Sequence, residues 1–414
     1  MAQDPIDLEF RPFQSPYLEN PFPFFAHYRR EMPVFFSPTV GMWVVTRYAD
    51  VQTVLKDPQL FSSKKAFTFP ASLTPEVRQL LQGTMFGSDS SAPVMTDPPY
   101  HTHLRRPLAS AFSARQVMRL EPDVRELATH LIDDFELQGP IDFVERFARP
   151  LPLQITCRLI GIPDADHNQI HQWGDAMVDL LIHSLPAERQ RARAYELLAL
   201  YQYMGDLLEQ RRHNPQDDLA TALLQASVEQ DQTKMSQGEL IELLVTLVSA
   251  GFETTMNFLS ACLLLLIGGG FWETLDHDPQ HLAQVVEEAL RLVSPLMGIF
   301  RMTTQEVHLG GVTLPPDAMI YAVLSSANRD ERFFPHPETL DLQRDSNRHM
   351  AFGYGIHFCI GAPLARLEVR VALETLHQRF PHLRLVPNQI ITYTPGLLMR
   401  GIEHVLISTQ IPKV

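Results

Sequence analysis

Apolar residues recur at helical spacing over most of this chain. A helix is predicted from Ser236, which forms a capping box with Glu239, through the long apolar run that follows. A second helix is predicted over residues 278–293, and a third follows Pro363, a residue type suited to a first helical turn. The pattern therefore predicts a mainly α-helical fold.

Shorter segments between turn residues are apolar or alternate, as β-strands do. They lie at 42–46, 299–303, 307–309 and 319–323, with final strands near 383–385 and 405–408. Residues 59–95 show no sustained hydrophobic periodicity, so we expect a long loop there. This loop either faces the substrate or only packs on the surface. No repeat or linker divides the chain, and we expect one domain over residues 1–414 with a small β-rich region.

Composition narrows the class of protein. Of the 414 residues, 45% are hydrophobic and 20% are charged, as in globular proteins. A net charge of -14 argues against nucleic acid as a partner, because phosphates attract basic surfaces. Three cysteines are too few for a disulfide framework and fit a reducing cytoplasm. The first residues lack a basic segment followed by an apolar one, so we expect no signal peptide or membrane anchor, and the uncharged run 254–272 is expected to be a core helix.

Residues 352–361 hold one cysteine in a glycine-rich loop. The three glycines of this segment permit left-handed backbone and a close approach to a flat partner. Cys359 precedes a predicted helix, and a helix N-terminus stabilises a thiolate, the form that binds metal. A buried structural cysteine is the plain alternative, and a zinc site with His357 would lack a second pair of ligands.

A glycine, an acid and a hydroxyl residue, Gly251, Glu253 and Thr254, interrupt the apolar run of the long predicted helix. Glycine in a helix interior costs about 1 kcal/mol relative to alanine, and a buried acid costs more unless it is used. One interpretation is a helix kink with a satisfied core carboxylate. The other is an oxygen pocket at the kink, supplied by a proton path.

Two further pairs are weak signals by themselves. His101 and Arg105 share one face of a predicted helix, and Glu288 and Arg291 do so on the helix at 278–293. Alone, they are typical of a solvated basic turn and of a surface ion pair.

Residues 352–361 resemble the haem-binding loop of the cytochrome P450 superfamily, and the other motifs follow in that family's order from residue 97 onward. The resemblance implies a cytochrome P450 fold, with haem b between the long helix near Gly251 and the loop of Cys359, the axial thiolate ligand of the iron. It further implies that Glu288, Arg291 and Arg329 form a buried ion network that supports this loop.

The same resemblance assigns the remaining site residues. Glu253 and Thr254 match the acid–alcohol pair of oxygen activation. The residues that match haem contacts, among them the propionate ligands, are His101, Arg105, Ala250, Gly251, Arg301, Phe352, Gly353, His357, Cys359 and Gly361. The residues that match the substrate pocket are Thr246, Ser249, Met297, Ile299, Leu398 and Met399.

The implied activity is that of a soluble haem-thiolate monooxygenase, which uses O2 and two electrons to hydroxylate or epoxidise a hydrophobic small molecule. The mostly apolar pocket suits a terpenoid, steroid, fatty acid or polyketide. Three cysteines cannot ligate both haem and a cluster, so we expect a separate ferredoxin with its reductase as electron donor. Its docking surface is expected among Arg105, Arg106, Arg115, Arg119, Arg366 and Arg370.

Three alternatives remain at this point. One is a haem-binding gas sensor, and the second is a module that recruits a partner without chemistry. The third is an oxygenase driven by peroxide. The acid–alcohol pair argues against the first and the third, and the intact set of motifs argues against the second.

Overall fold

The computed structural model describes residues 10–64, 66, 73–87, 91–135, 139–182, 185–228, 235–344 and 346–409. Internal contacts divide the chain into two compact units. Unit 1 comprises residues 1–62, 118–151 and 254–414, and unit 2 comprises residues 63–117 and 152–253. Three of the four divisions fall inside helices, one of them between Glu253 and Thr254. The expected single domain stays a prediction.

Helices dominate the described residues, as the periodicity predicts. The α-helices are α1 Phe22–Glu31, α2 Tyr48–Lys56, α3 Pro75–Leu80, α4 Tyr100–Ala111, α5 Ala114–Met118, α6 Glu121–Ile132, α7 Pro150–Ile160, α8 His167–Ile182, α9 Ala187–His213, α10 Leu219–Val228, α11 Gln237–Gly268, α12 Pro279–Leu292, α13 Leu324–Ala327 and α14 Ala362–Arg379. The strands are β1 Val34–Ser37, β2 Met42–Val45, β3 Phe61–Ser62, β4 Ile141–Asp142, β5 Ile299–Thr303, β6 Val307–Leu309, β7 Val312–Leu314, β8 Met319–Ala322, β9 Arg384–Leu385, β10 Tyr393–Thr394, β11 Gly401–Ile402 and β12 Leu406–Ser408.

A five-stranded sheet of order β1-β2-β8-β5-β3 forms the β-rich part of unit 1. Its centre pairs β8 with β5 antiparallel, so that Tyr321 stands opposite Phe300. A buried apolar cluster that includes Val51, Val54 and Leu55 of α2 packs with residues of this sheet. The strands predicted at 42–46, 299–303, 307–309 and 319–323 are confirmed to within a residue or two.

The predicted helix starts are confirmed by their caps. At the start of α11, the Ser236 amide donates to the Glu239 carboxylate at 2.6 Å and the Glu239 amide donates to Ser236 Oγ at 3.2 Å. At the start of α12, the His281 amide donates to the Asp278 carboxylate at 2.9 Å. By length and composition alone α11 could span a membrane, yet 56% of its most apolar window is buried, as in a core helix.

Unit 2 is helical in its described part, and α8 packs along α9 there. The expected loop at 59–95 is wrong in part, because residues 75–80 form α3, which begins with a cap by Thr74 and buries Val77. Helix α3 escaped the sequence analysis because six residues are too few to display a period. Residues 65, 67–72 and 88–90 of this segment lie outside the described residues.

Candidate active site

The loop before α14 presents Cys359 as an exposed thiol. The Cys359 amide donates to the Phe352 carbonyl at 2.9 Å, which closes the loop on itself. Gly353 and Gly355 have φ of +73° and +72°, the left-handed region that favours glycine. A Cβ on Gly355 would also lie 2.5 Å from the carbonyl oxygen of Leu55. Gly353 and Gly355 are therefore required by the backbone of this loop. The same expectation for Gly361 is wrong, because its φ of -78° suits any residue and a Cβ there would lie 3.8 Å from the Cys359 sulfur, an ordinary contact distance.

A hydrogen-bonded chain supports the loop from within unit 1. The Met350 amide donates to Asn328 Oδ1 at 2.6 Å, and the Gly353 amide donates to the Met350 carbonyl at 2.8 Å. Arg291 donates to the Asn328 carbonyl at 3.1 Å. The buried ion network is thus linked to the cysteine loop through the backbone of residues 328 and 350.

Glu288 and Arg291 form the fully buried core of that network. Arg291 donates from Nε and Nη2 to the two Glu288 oxygens at 2.9 and 2.7 Å, a bidentate pair. Asn347 and the Asp341 amide also donate to Glu288, at 3.1 and 3.0 Å. Burial alone would raise the pKa of Glu288, but the bonds and charge of Arg291 lead the groups that lower it below its usual value.

The second arginine of the network is Arg344, so the expectation for Arg329 is wrong. Arg344 donates from Nε to Glu288 at 3.1 Å. Arg329 instead donates to the Leu292 carbonyl at 2.8 Å and pairs with Glu338. Arg329 follows an apolar strand and Arg344 lies in an irregular stretch, so the sequence pattern favoured the wrong residue.

The acid–alcohol residues lie in the middle of α11. Gly251, Glu253 and Thr254 are half-buried, and Ala250 is exposed, although the helix is otherwise apolar. A Cβ on Gly251 would lie 2.7 Å from Thr156 Oγ1 on α7, so the glycine permits a close approach of two helices within unit 2. Helix α11 is continuous through this point. The division between the units places Glu253 in unit 2 and Thr254 in unit 1.

The four residues assigned to the haem propionates are found in both units. His101 is 3% exposed and begins α4 with Arg105 one turn later, in unit 2. In unit 1, Arg301 is 3% exposed on β5 and donates to the Phe300 carbonyl at 2.7 Å, while His357 is half-buried in the cysteine loop. Their role toward a propionate stays a prediction.

Unit 1 brings four predicted pocket residues together. The Met297 amide donates to the Leu398 carbonyl at 2.9 Å, and Leu296 forms a β-bridge with Met399. Ile299 continues this segment as the first residue of β5. The structure thus places segment 297–299 beside loop 397–399, as the resemblance implies for a pocket.

Tyr321 organises these two segments and was missed in the sequence. Its buried hydroxyl donates to the Leu397 carbonyl at 2.6 Å. Its ring covers Gly298, where a Cβ would lie 2.4 Å from a ring carbon. A tyrosine in an apolar strand carries no signal of such a contact, because strand pattern does not disclose the partner of a hydroxyl.

The remaining predicted pocket residues, Thr246 and Ser249, lie on α11 in unit 2. One turn before Thr246 is a buried carboxyl that the sequence analysis passed over, Glu242, at 1% exposure. Tyr201 of α9 donates to Glu242 Oε2 at 2.7 Å, and Thr246 Oγ1 lies 3.5 Å from Glu242 Oε1. A single acid inside the apolar run 240–248 was the signal that could have found it.

The chemistry of these residues fits a haem. The candidate metal donor is one exposed thiol at the start of α14, held by a loop whose glycines leave a surface without side chains. Phe352, in the same loop, supplies an aromatic ring. Arg301, on β5, supplies a buried guanidinium suited to a carboxylate. No cluster of three metal-binding side chains occurs among the described residues.

A mainly helical fold with a small sheet and one exposed cysteine before a long helix is the arrangement that the resemblance to haem-thiolate proteins implies. The chain belongs to the cytochrome P450 family. The model of that family, Cytochrome P450, matches residues 161–268 and 280–406.

Known relatives and solved structures cover nearly the whole chain. It is 35% identical over 410 residues to the polyketide biosynthesis cytochrome P450 PksS of Bacillus subtilis, covering 97% of this chain and 98% of that protein. It is 37% identical over 364 residues to the mycinamicin IV hydroxylase/epoxidase of Micromonospora griseorubida, covering 87% of each. The solved structure of Bacillus subtilis PksS matches with a TM-score of 0.84 and 32% identity over 97% of this chain and 100% of that one. The protein is accordingly a cytochrome P450 monooxygenase, an oxidoreductase that acts on a small molecule with O2 and electrons from a redox partner.

Proposed function

We propose that this monooxygenase hydroxylates or epoxidises a hydrophobic substrate in the cytoplasm, with haem b as cofactor and a ferredoxin as electron donor. The substrate belongs to the polyketide, steroid, terpenoid or fatty-acid class. The polyketide class has direct support in the names of two relatives, which act in polyketide biosynthesis and on mycinamicin IV.

The observation that carries the proposal is the presentation of Cys359. Its thiol is exposed before α14, whereas the other two cysteines, Cys157 and Cys262, are buried. Burial raises the pKa of Cys157 and of Cys262 to about 12, so neither of them forms a thiolate at neutral pH. Cys359 is therefore the thiol that suits a metal ligand.

When bound, haem would supply the iron at which O2 is activated. The protein's residues would hold and serve it. Cys359 would ligate the iron, and Arg301, His357, His101 and Arg105 would bind the propionates. Glu253 and Thr254 would hold and pass protons toward the bound oxygen.

The apolar residues of loop 397–399 and segment 297–299 would exclude water and orient the substrate. Met297 and Met399 are buried, and Ile299 and Leu398 are half-buried. Such a wall holds a substrate by apolar contact and fixes its orientation with few polar groups.

The ferredoxin is supported by exposed arginines on both units, Arg106 and Arg115 on unit 2 and Arg119 on unit 1. Arg366 and Arg370 are weaker candidates than the sequence suggested, because they pair with Glu287 at 2.6 Å and Glu121 at 2.8 Å. If charge complementarity guides docking, turnover with a ferredoxin falls steeply as salt is raised. A flat salt profile would argue for another kind of donor.

The decisive experiment is spectroscopic. The dithionite-reduced protein with CO is expected to give the strongly red-shifted Soret band of thiolate-ligated haem, and Cys359→Ser is expected to lose it. The matched control Cys262→Ala, at a buried thiol, should retain the band. A histidine-type band in the native protein, or a thiolate band in the Cys359 variant, would refute the proposal.

A further inference from the structure

Helix α11 carries a polar stripe that begins before the predicted pocket. Glu242, Thr246, Ser249 and Glu253 are spaced four, three and four residues apart, so they share one face of the helix. Two of them are predicted pocket residues, and the last is the acid of the acid–alcohol pair. Glu242 extends the stripe by one turn, and the proposed reaction gives it no role.

Glu242 is held in place by groups from three segments of unit 2. Tyr201 of α9 donates its hydroxyl to Glu242 Oε2 at 2.7 Å, and the Met85 amide in turn donates to the Tyr201 oxygen at 3.2 Å. Thr246 Oγ1 is positioned to donate to the other carboxylate oxygen at 3.5 Å. At 1% exposure the carboxyl cannot itself meet a ligand, whereas Thr246 is half-buried.

The hydrogen bond from Thr246 to Glu242 decides whether the Thr246 hydroxyl acts as donor or acceptor toward a ligand. While its proton points to the ionised Glu242, the Thr246 oxygen has only lone pairs left to offer, so it acts as an acceptor. An acceptor on an apolar wall selects a ligand that carries a donor, because an unmatched polar group costs free energy when it is buried.

We infer that Thr246, oriented by Glu242, forms a subsite for a hydroxyl group of the substrate. The inference rests on the proposed function and on the resemblance that assigns Thr246 to the substrate pocket. Glu242 is a positioning residue, since it acts through Thr246 and does not touch substrate.

The charge of Glu242 controls the polarity of the subsite. Burial raises the pKa of Glu242 to about 7, while the bonds from Tyr201 and Thr246 oppose that rise. Besides Tyr201, Tyr100 of α4 also interacts electrostatically with Glu242. The Tyr100 hydroxyl donates to Glu239 at 2.8 Å. In the neutral acid, Tyr201 still donates to one oxygen, so the acid proton faces Thr246 and turns it into a donor.

The variant Glu242→Gln reproduces the neutral form at every pH. The glutamine oxygen accepts from Tyr201, and its amide then donates to Thr246, whose own proton points toward the ligand. The variant should therefore lose the preference for an alcohol over a ketone of the same shape, because both oxygens can accept from Thr246.

The test uses the ferric holoprotein with its thiolate band and two isosteric pairs of probes, 5α-androstan-3β-ol with 5α-androstan-3-one, and 2-dodecanol with 2-dodecanone. Apparent dissociation constants come from the spin-state shift. At about pH 8, where the carboxylate prevails, we expect the native protein to bind at least one alcohol roughly five- to tenfold more tightly than its ketone. At about pH 6 that preference should shrink, and in Glu242→Gln it should vanish at both pH values.

The matched control is Glu239→Gln, the same change three residues earlier, where glutamine preserves the capping box. It should keep the preference of the native protein. The inference is overturned if no alcohol binds more tightly than its ketone at about pH 8, or if Glu242→Gln retains the preference. It is also overturned if Glu242→Gln weakens alcohol and ketone alike, because that result marks a purely structural role. Failure of the proposed function would appear separately, as a missing thiolate band.

Discussion

Replacing Arg291 by lysine tests how the buried network supports the cysteine loop. Arg291 is 0% exposed. It donates twice to Glu288, at 2.9 and 2.7 Å, and once each to the carbonyls of Asn328, Pro337 and Thr339, at 3.1, 2.6 and 2.9 Å. Lysine keeps the charge, but its three donors radiate from one atom and cannot reproduce the planar fork.

At least two buried acceptors therefore lose their donor in Arg291→Lys. Each such loss costs about 1–3 kcal/mol, so we expect the free energy of unfolding to fall by roughly 3–5 kcal/mol. Because Arg291 binds the Asn328 carbonyl and Asn328 holds Met350, the loss should reach the cysteine loop and reduce the fraction of protein that shows the thiolate band.

The assay is urea unfolding followed by circular dichroism, with the CO spectrum recorded on the same samples. Arg125→Lys is the matched control, because Arg125 also pairs with two carboxylates, Glu121 and Glu374, but is 38% exposed. Exposed pairs are worth about 1 kcal/mol or less, so the control should lose little. A loss within about 1 kcal/mol of native for Arg291→Lys, or an equal loss in both variants, would refute the reasoning.

Three further outcomes are expected. Thr254→Ala should keep haem but lower product formed per NAD(P)H by roughly tenfold, with peroxide as the balance, and unchanged coupling would remove Thr254 from the proton path. The raised pKa of Glu242 means that the folded protein holds this proton more tightly than the unfolded chain, so the group costs stability increasingly as pH rises from its ordinary value of 4.5 through about 7. Glu242→Gln should therefore gain stability over the native protein by about 3 kcal/mol between about pH 5 and pH 8 in urea titrations, and a constant difference would contradict the shift. Tyr321→Phe removes the 2.6 Å hydrogen bond to the Leu397 carbonyl and should change product ratios or substrate affinity. The control Tyr48→Phe loses a similar 2.8 Å hydrogen bond to a backbone carbonyl and should leave both unchanged. Equal effects of the two variants would contradict the positioning role of Tyr321.

Local features of this protein could be predicted because their causes lie within a few residues. The capping box at Ser236 joins residues three apart, and its bonds form as the sequence indicates. Strand β5 has the predicted bounds, since its apolar run and flanking turns are local. Gly353 and Gly355 of the cysteine loop could also be predicted, because a left-handed φ is a property of a single residue, whereas Gly361 has an ordinary φ.

Resemblance to a known family extended the sequence analysis to the roles of distant residues, and there it succeeded unevenly. It assigned Met297, Leu398 and Met399 to one substrate pocket. The structure joins the Met297 amide to the Leu398 carbonyl, and the role of these residues toward a substrate stays a prediction. The resemblance named Arg329 as the second arginine of the buried network, where the structure has Arg344. Arg329 and Arg344 both precede the cysteine loop in the sequence and carry the same side chain, so the motif could not distinguish them.

Only the tertiary structure decided which side chains meet across the chain. Arg344 and Glu288 are 56 residues apart in sequence, Tyr321 and Leu397 are 76 apart, and Tyr201 and Glu242 are 41 apart. No periodicity links such partners, because it records which face of an element is buried and not what packs against it. The sequence by itself determined α11, α12, α14, the strands of the main sheet at 42–46, 299–303 and 319–323, and the loop of Cys359, since these follow from spacing and backbone preference. The partners of Glu242, Tyr321 and Glu288 were decided when folding brought separate elements together, because a buried polar group takes its bonds from whichever donors lie next to it.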